Sequence, residues 1–369
     1  MQQTPFTEIH RALGAKMAEF AGYEMPIEYA GITAEHLCVC RNVGVFDVSH
    51  MGEFRLTGKQ SLPLLQHLAG NDVSQVPAGK AQYTCLMNEH GGVVDDFLIY
   101  CVKPEQDYFL VVNASNIDKD FAHFARYAPQ FGVSVGTNLV NISEQIAQLA
   151  VQGPNAMKVL QSLVDEPITD MPYYSFKEVR LAGIPNVLLA TTGYTGAGGA
   201  ELYVDKQNAV ALWNAVMQAG KAFGIAPIGL GARDTLRLEM GYCLYGHELL
   251  DNITPLEANL GWITKLSKNF LGADILRQQK EQGLQRKLLA FQLLERGVPR
   301  AGYEICNGEG RKIGAVTSGT MSPLSKEGIG LGYAETLYAT LGTPLCIKIR
   351  EKLVPAQVVK LPFRKTVNA

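Results

Sequence analysis

The hydrophobic pattern of the chain changes period several times, and each change predicts an element. GITAEHLCVCRNV, residues 31–43, carries apolar positions at helical spacing and predicts a helix ending near Gly44. VGVFDVSHMGEFRLTG then switches to the two-residue alternation of a strand. After a helical SLPLLQHLAG come KAQYTCLMNEH, GGVVDDFLIYCV and DYFLVVNAS. These three strand patterns, joined by a Gly-Gly turn and a charged turn, predict an antiparallel meander. NIDKDFAHFARYA supplies the following helix. A second block has the same flavour: IAQLAVQGPNAMKVLQSL reads as strand, Gly-Pro turn and helix. EVRLAGIPNVLLATTGYTGAGGAELYV reads as strand, turn, strand, glycine-rich loop and strand, before the helix NAVALWNAVMQAGKAFG. From about residue 285 short strands separated by turn signals predict a small all-β barrel. No low-complexity linker divides these parts, so they should pack as one body with a site where they meet.

Two carboxylates disturb this pattern. In GGVVDDFLIY the alternation places Asp95 with Val93, Phe97 and Ile99, and Asp96 with Val94, Leu98 and Tyr100. Facing opposite ways, they cannot form a catalytic dyad, and each needs its own explanation, because an unpaired carboxylate in an apolar strand costs several kcal/mol or shifts its pKa. In the structural explanation one caps the turn at Gly91-Gly92 and the other meets a lysine or backbone amides. In the functional one a single carboxylate stands in a pocket against a cationic or amine-bearing ligand.

Composition narrows the class. A chain of 369 residues exceeds what one hydrophobic core usually serves, which predicts two or three domains. With 33 basic and 35 acidic residues the net charge of −2 gives no reason to expect nucleic acid or a membrane surface as partner. The N-terminal MQQTPFTEIHRALGAKM lacks the order of a signal peptide, and the seven scattered cysteines suit a reducing compartment, so the expected location is the cytoplasm. Cys38 and Cys40 lack a CxxC spacing and read as small buried hydrophobes. The seven histidines show no HxH or HExxH pairing, so no catalytic metal is expected.

Two further stretches carry candidate chemistry. GYTGAGGAE, 193–201, is neither a P-loop nor a dinucleotide fingerprint, since no GK[ST] ends it and a strand follows. It reads as a hairpin turn, and Glu201 beyond it is either a surface residue or an acceptor for a flat heterocycle. GLGARDTLRLEMG, 229–241, opens a helix with Arg233 and Arg237 one turn apart. Spacing alone favours a solvated helix, ion-paired through Asp234 and Glu239.

Taken together, FDVSHMGEFRLTG, NEHGGVVDDFLIY, LAVQGPNA, TTGYTGAGGAEL, IGLGARDTLRLEMGYCLYGHEL, TSGTMSP and KLPF resemble the T-protein, or aminomethyltransferase, family of the glycine cleavage system, in order and over essentially the whole chain. The resemblance implies an α+β, three-domain cloverleaf around a central folate site. It implies a discontinuous first domain at 1–50 with 140–280, an inserted domain at 51–139 and a C-terminal antiparallel β-barrel at 281–369. The implied reaction moves the aminomethyl carbon from the lipoyl arm of H-protein to tetrahydrofolate, giving 5,10-methylenetetrahydrofolate, ammonia and dihydrolipoyl H-protein. Asp96 corresponds to the family's catalytic carboxylate, which leaves Asp95 to structure. Glu201 corresponds to the glutamate on the pterin's amino-pyrimidine edge, and Arg233 to a substrate-contacting arginine. Met51, Tyr83, Tyr100, Val112, Asn113 and Tyr194 fall in blocks resembling the pocket lining. Implied partners are folate and lipoylated H-protein, with no nucleic acid and no membrane.

The chain departs from the pattern at Ala197, where many relatives carry a glutamate in GYTGE, and in its tail KLPFRKTVNA. Folate-binding relatives without aminomethyl transfer usually lose the paired aspartates and carry a cysteine motif that is missing here. Folate-dependent demethylases of the same fold match FDVSHMGEF and GYCLYG less well.

Overall fold

A computed structural model of the chain describes residues 1–364. Its first sheet has six strands in the order Phe176–Leu181, Ile184–Ala190, Gly199–Asp205, Ile146–Gln152, Gly44–Asp47 and Ala226–Pro227. Helices Ala156–Gln161 and Ala209–Gly220 cover one face, packing Val159, Leu212 and Trp213 onto Val45, Leu149 and Leu202. The second sheet has five strands in the order Lys80–Met87, Val93–Lys103, Asp107–Val112, Gly52–Thr57 and Leu139–Asn141. The predicted meander forms its first three neighbours, antiparallel throughout. Helices Ser61–Leu68 and Ile117–Tyr127 bury Leu64, Leu65 and Phe124 against Phe54, Phe97 and Ile99 on one side of that sheet.

The other side meets the first sheet. Tyr100, Phe109 and Val111 pack against Phe176, Ala190 and Tyr203, with Leu98 and Val102 beside them, so the even-numbered positions from 96 to 102 of the long strand Val93–Lys103 face a seam between two sheets, while Val94, next to a register shift, packs into the other core. This alternation positions the site. The predicted barrel is present as a closed ring of strands Arg286–Leu293, Gly328–Glu335, Lys312–Met321, Glu304–Cys306, Pro344–Ile349 and Lys352–Val359. Phe291, Ile305, Val316, Ile347 and Val354 fill it. Residues between the first sheet and the barrel, including Leu249, Ile253, Phe270 and Leu276, wedge between Met87 and Val93 on one side and Leu288 and Tyr333 on the other. No helix of the described residues is long and apolar enough to cross a membrane.

Some elements differ from expectation. FDVSHMGEFRLTG is not one strand: it splits into Gly44–Asp47 in the first sheet and Gly52–Thr57 in the second. Asp47 makes the break, because its Oδ1 accepts the Ser49 amide at 2.9 Å and folds the chain away from the strand direction. A two-stranded hairpin, Lys16–Phe20 with Tyr23–Glu28, lies in the N-terminal region, where no strand pattern had stood out. The helix Leu230–Met240 exists, but it is not solvated. Arg237 is only 1 % exposed and its guanidinium reaches Asp234 (2.8 Å), Glu248 (2.9 Å), the Tyr242 carbonyl (3.0 Å) and Ser318 (2.8 Å). Glu239 is equally buried and is met by His36 at 3.1 Å, Ser322 at 2.5 Å and Arg364 at 3.2 Å. The helix is closed in by the barrel and by the helix Ile32–Arg41, burial that local charge spacing does not reveal.

The turn before the aspartates is likewise not capped by either of them. Asn88 does it, accepting the amides of His90 and Gly92 through Oδ1 at 2.9 Å each. The same turn docks on the segment that follows the long helix, with Asn88 Nδ2 donating to the Asp251 carbonyl at 2.9 Å and the Val93 amide to that of Ile253 at 3.0 Å. A Cβ at Gly92 would lie 1.8 Å from the Asp251 oxygen. Gly92→Ala should therefore destabilise the protein by about 1–3 kcal/mol, the usual range for forced overpacking. Thermal or urea unfolding checks this, and an unchanged midpoint would contradict the docking.

Candidate active site

The seam between the sheets becomes polar where Asp96 enters it. Its backbone sits in the long strand paired with Cys85. The Tyr83 hydroxyl donates to Asp96 Oδ2 at 2.8 Å, and Asn113 Nδ2 reaches Oδ1 at 3.0 Å and the Asp96 carbonyl at 2.9 Å. Some of Asp96 stays open to solvent, but protein surrounds the carboxylate on most sides. Burial first, and then the charge of Asp95, push its pKa up to about 7, against the two donors that pull it down. A carboxyl at that value can take or give a proton at neutral pH.

Asp95 points the other way and is fully buried. It accepts the Asn113 amide at 3.0 Å, Asn113 Nδ2 at 2.8 Å and Asn116 Nδ2 at 2.8 Å. The alternation separates the two carboxylates as expected, yet one side-chain amide, that of Asn113, binds both. No lysine of the described residues pairs with either: Lys119 donates instead to the Val94 carbonyl (2.6 Å) and the Tyr245 hydroxyl (2.5 Å).

Across the seam, Glu201 is the first outward-facing residue of its strand, and its carboxylate accepts from Gln148 Nε2 at 3.0 Å and from the Thr192 hydroxyl at 2.5 Å. Tyr100 links to Thr192 at 3.0 Å and to Tyr203 at 2.9 Å, and Gln148 Nε2 also reaches Tyr203 at 3.2 Å. These contacts close a ring of five side chains that spans both sheets. Burial raises the Glu201 pKa, while Thr192, Arg233 and Gln148 lower it in part.

Glu201, Arg233, Tyr194 and Met51 line one cleft together with Phe46, Val48, Ala150, Gln152 and Thr195. The Arg233 guanidinium lies 4.6 Å above the Tyr194 ring, a cation–π arrangement, and no carboxylate of the described residues is within ion-pair distance of it. Burial lowers its pKa, but a guanidinium is so strong a base that it keeps its proton in proteins. Tyr194 in turn stacks on Tyr242 with ring centres 5.7 Å apart, and its hydroxyl donates to the Cys243 carbonyl. Cys85, the strand partner of Asp96, packs in one cluster with Cys243, so the carboxylate and this wall adjoin.

The structure thus brings together seven of the nine residues singled out from the sequence: Met51, Tyr83, Asp96, Asn113, Tyr194, Glu201 and Arg233, each partly open to solvent. Tyr100 and Val112 are different. Tyr100 is fully buried behind the cleft and acts through its hydroxyl on Thr192 and Tyr203. Val112 is fully buried in the core beneath the second sheet, beside Phe54 and Leu110. Ala197, where many relatives carry glutamate, is a fully buried apolar residue. Gln148, Thr192 and Tyr203 were missed. Their signal was available: Gln148 and Gln152 share one face of the apolar strand Ile146–Gln152, the same anomaly that marks the aspartates.

The arrangement can bind a flat, donor-bearing ring against Glu201, hold an anionic group at Arg233, and exchange a proton at Asp96. Comparison with known proteins places this geometry. Residues 6–268 match the GCVT N-terminal domain, and residues 286–365 match the glycine cleavage T-protein C-terminal barrel domain. An aminomethyltransferase of Phocaeicola vulgatus is 56 % identical over 367 residues, covering 99 % of this chain and all of the relative. One from Halalkalibacterium halodurans is 45 % identical over 370 residues, covering 100 % of this chain and 99 % of the relative. The crystal structure of glycine cleavage system aminomethyltransferase T from Bartonella henselae superposes with a TM-score of 0.90 at 30 % identity, covering 99 % and 98 % of the two chains. With both domain models matched end to end on one chain and full-length relatives at this identity, the protein belongs to the glycine cleavage T-protein family.

Proposed function

We propose that this protein transfers the aminomethyl carbon carried on the lipoyl arm of H-protein to tetrahydrofolate, with Asp96 as the catalytic carboxylate. The carrying observation is a proton acceptor poised near neutrality on one sheet, across the seam from a cleft lined by a doubly hydrogen-bonded glutamate and an arginine with no carboxylate partner among the described residues. Full-length aminomethyltransferase relatives support the reaction class. Atoms balance as follows: the carbon of S–CH2–NH3+ becomes bonded to N5 and N10 of tetrahydrofolate, both N–H protons leave, and ammonium and a free thiol are the other products.

The residues divide the work. Glu201 presents an acceptor to the donor edge of the amino-pyrimidine ring, and the apolar wall of Phe46, Val48, Met51 and Ala150 covers the ring faces. Arg233 offers its free guanidinium to an anionic group of either substrate. Asp96, held by Tyr83 and Asn113, orients the attacking amine and takes up a proton, and in a site poor in water its charge also favours positive charge at the carbon in transit. In this reading the three units, 1–50 with 140–280, 51–139 and 281–369, meet around the site, and lipoylated H-protein delivers its arm to the open side of the cleft.

Glu201→Gln removes a charge-assisted acceptor and should weaken tetrahydrofolate binding about 10- to 100-fold, while Tyr100→Phe, which cuts the ring behind Glu201, should weaken it about 2- to 10-fold. Calorimetric titration separates the two, and equal affinities in all three proteins would sink the assignment of Glu201.

Asp96→Asn should lower turnover by about 10²- to 10⁴-fold with folate binding retained. Because Asp96 must be ionised to accept a proton, the wild-type rate should fall as the pH drops through about 7. The assay is ammonia and 5,10-methylenetetrahydrofolate formation from aminomethyl-loaded H-protein. Normal turnover in Asp96→Asn would remove this residue from the mechanism.

A further inference from the structure

Behind Asp96 the structure holds a third carboxyl. Asp120, in the first turn of the helix Ile117–Tyr127, is fully buried, and no donor of the described residues reaches either of its oxygens. Two ionised carboxylates cannot stand together in such a place: the desolvation of each and their mutual repulsion are both unfavourable. Asp120 stands one helical turn after Asn116, which donates to Asp95, so the helix start sets it on the same side as that carboxylate; burial together with the charge of Asp95 raises its proton affinity well above that of an ordinary aspartate. Asp95, by contrast, collects three N–H donors, two from Asn113 and one from Asn116, which is the environment of an anion.

We propose that Asp120 is a neutral acid donating its proton to Asp95, and that the charge so fixed on Asp95 makes its neighbour Asp96 a proton acceptor suited to neutral pH. The inference rests on Asp96 being the catalytic carboxylate. Asp95 and Asp120 are positioning residues, since neither opens into the cleft, and Asn113 joins them to the site by binding Asp95 and Asp96 with one amide nitrogen.

The other groups around Asp96 do not replace this effect. Tyr83 donates to it from the adjacent strand and stays protonated; Cys85, Cys243 and Tyr194 are buried and their pKa values are raised, so all three remain neutral. Tyr174, further along the seam, is also kept neutral. Lys119, on the helix behind, is engaged by the Val94 carbonyl and by Tyr245, with Asp251 3.9 Å away. Among the described residues no cation forms an ion pair with Asp95 or Asp96, so the charge of Asp95 acts on Asp96 without one.

Two measurements test this. At pH 8 the wild-type-minus-Asp120→Asn infrared difference should show a protonated-carboxyl stretch and the wild-type-minus-Asp96→Asn difference should not, the stretch of the other buried, partnerless carboxyl, Glu53, cancelling in both; no such stretch in the first difference overturns the neutral acid. In Asp95→Asn the acid limb of kcat/KM should move to lower pH by roughly one pH unit, the effect of removing a like charge at close range. A limb that stays in place in folded Asp95→Asn overturns the second half. If Asp95→Asn does not fold, carbon-13 titration of aspartate-labelled wild type decides instead: one carboxyl should remain protonated through neutral pH while another titrates near 7. Full activity in Asp96→Asn would defeat the catalytic reading alone, because the infrared result reports on Asp120 whatever Asp96 does.

Discussion

The arrangement of the site depends on a buried cation, Arg237. Removing a guanidinium from water costs several kcal/mol, and the ion pair with Glu248 offsets that only because the remaining donors are also used, by Asp234, the Tyr242 carbonyl and Ser318. Those partners come from the helix itself, from the segment that follows it and from a barrel strand. One side chain therefore fixes how three parts of the chain sit together, and removing either member of the pair would strand a charge in the interior. The helix so anchored carries Arg233 one turn earlier, and the segment held beside it carries Cys243, whose carbonyl receives the Tyr194 hydroxyl. The wall facing Asp96 is set by a contact remote from any reacting atom.

Two carboxylates in one largely buried seam are given different properties by what surrounds them. Glu201 has two short donors and the field of Arg233, which work against its burial. Asp96 has the phenol of Tyr83 and a shared amide, with a second carboxylate at the next residue, and its pKa is carried to about 7. The first suits a fixed acceptor for a ligand. The second suits a group that changes protonation during turnover.

Much of this was legible in the sequence where one strand's alternation contained the whole message. Asp95 and Asp96 had to face opposite ways, and they do; the meander and the terminal barrel follow from turn signals at regular intervals. What the period cannot say is which surface a face will meet. Arg237 and Glu239 looked like part of a solvated charge cluster with Asp234 because their burial comes from the barrel and from the helix Ile32–Arg41, both distant in sequence. FDVSHMGEFRLTG looked like one strand because Asp47 serves both as a strand residue and as the acceptor that bends the chain. The resemblance to known T-proteins pointed to residues of which Met51, Tyr194, Glu201 and Arg233 line one cleft, but it grouped lining and supporting residues together. Exposure separates them, since Tyr100 and Val112 lie behind the surface that a ligand could touch.

The ring around Glu201 also has a direction. Gln148 Nε2 can only donate, so Tyr203 accepts from it and must spend its own proton on Tyr100. Tyr100 then donates to Thr192, and Thr192 to Glu201, while the second hydrogen of Gln148 reaches the other carboxylate oxygen. Turning the Gln148 amide over would set its oxygen against the carboxylate, so the orientation is determined by the chemistry as well as by the coordinates. Every hydroxyl in the ring is thereby committed away from the cleft. Glu201 keeps lone pairs for a ligand while both of its side-chain partners, Gln148 and Thr192, act as donors. A strand of the second sheet, through Tyr100, helps to hold the acceptor that the first sheet presents, and the same strand carries Asp96 two turns of the pleat away. The ligand-holding and proton-transferring groups are rigidly spaced because one strand supports both.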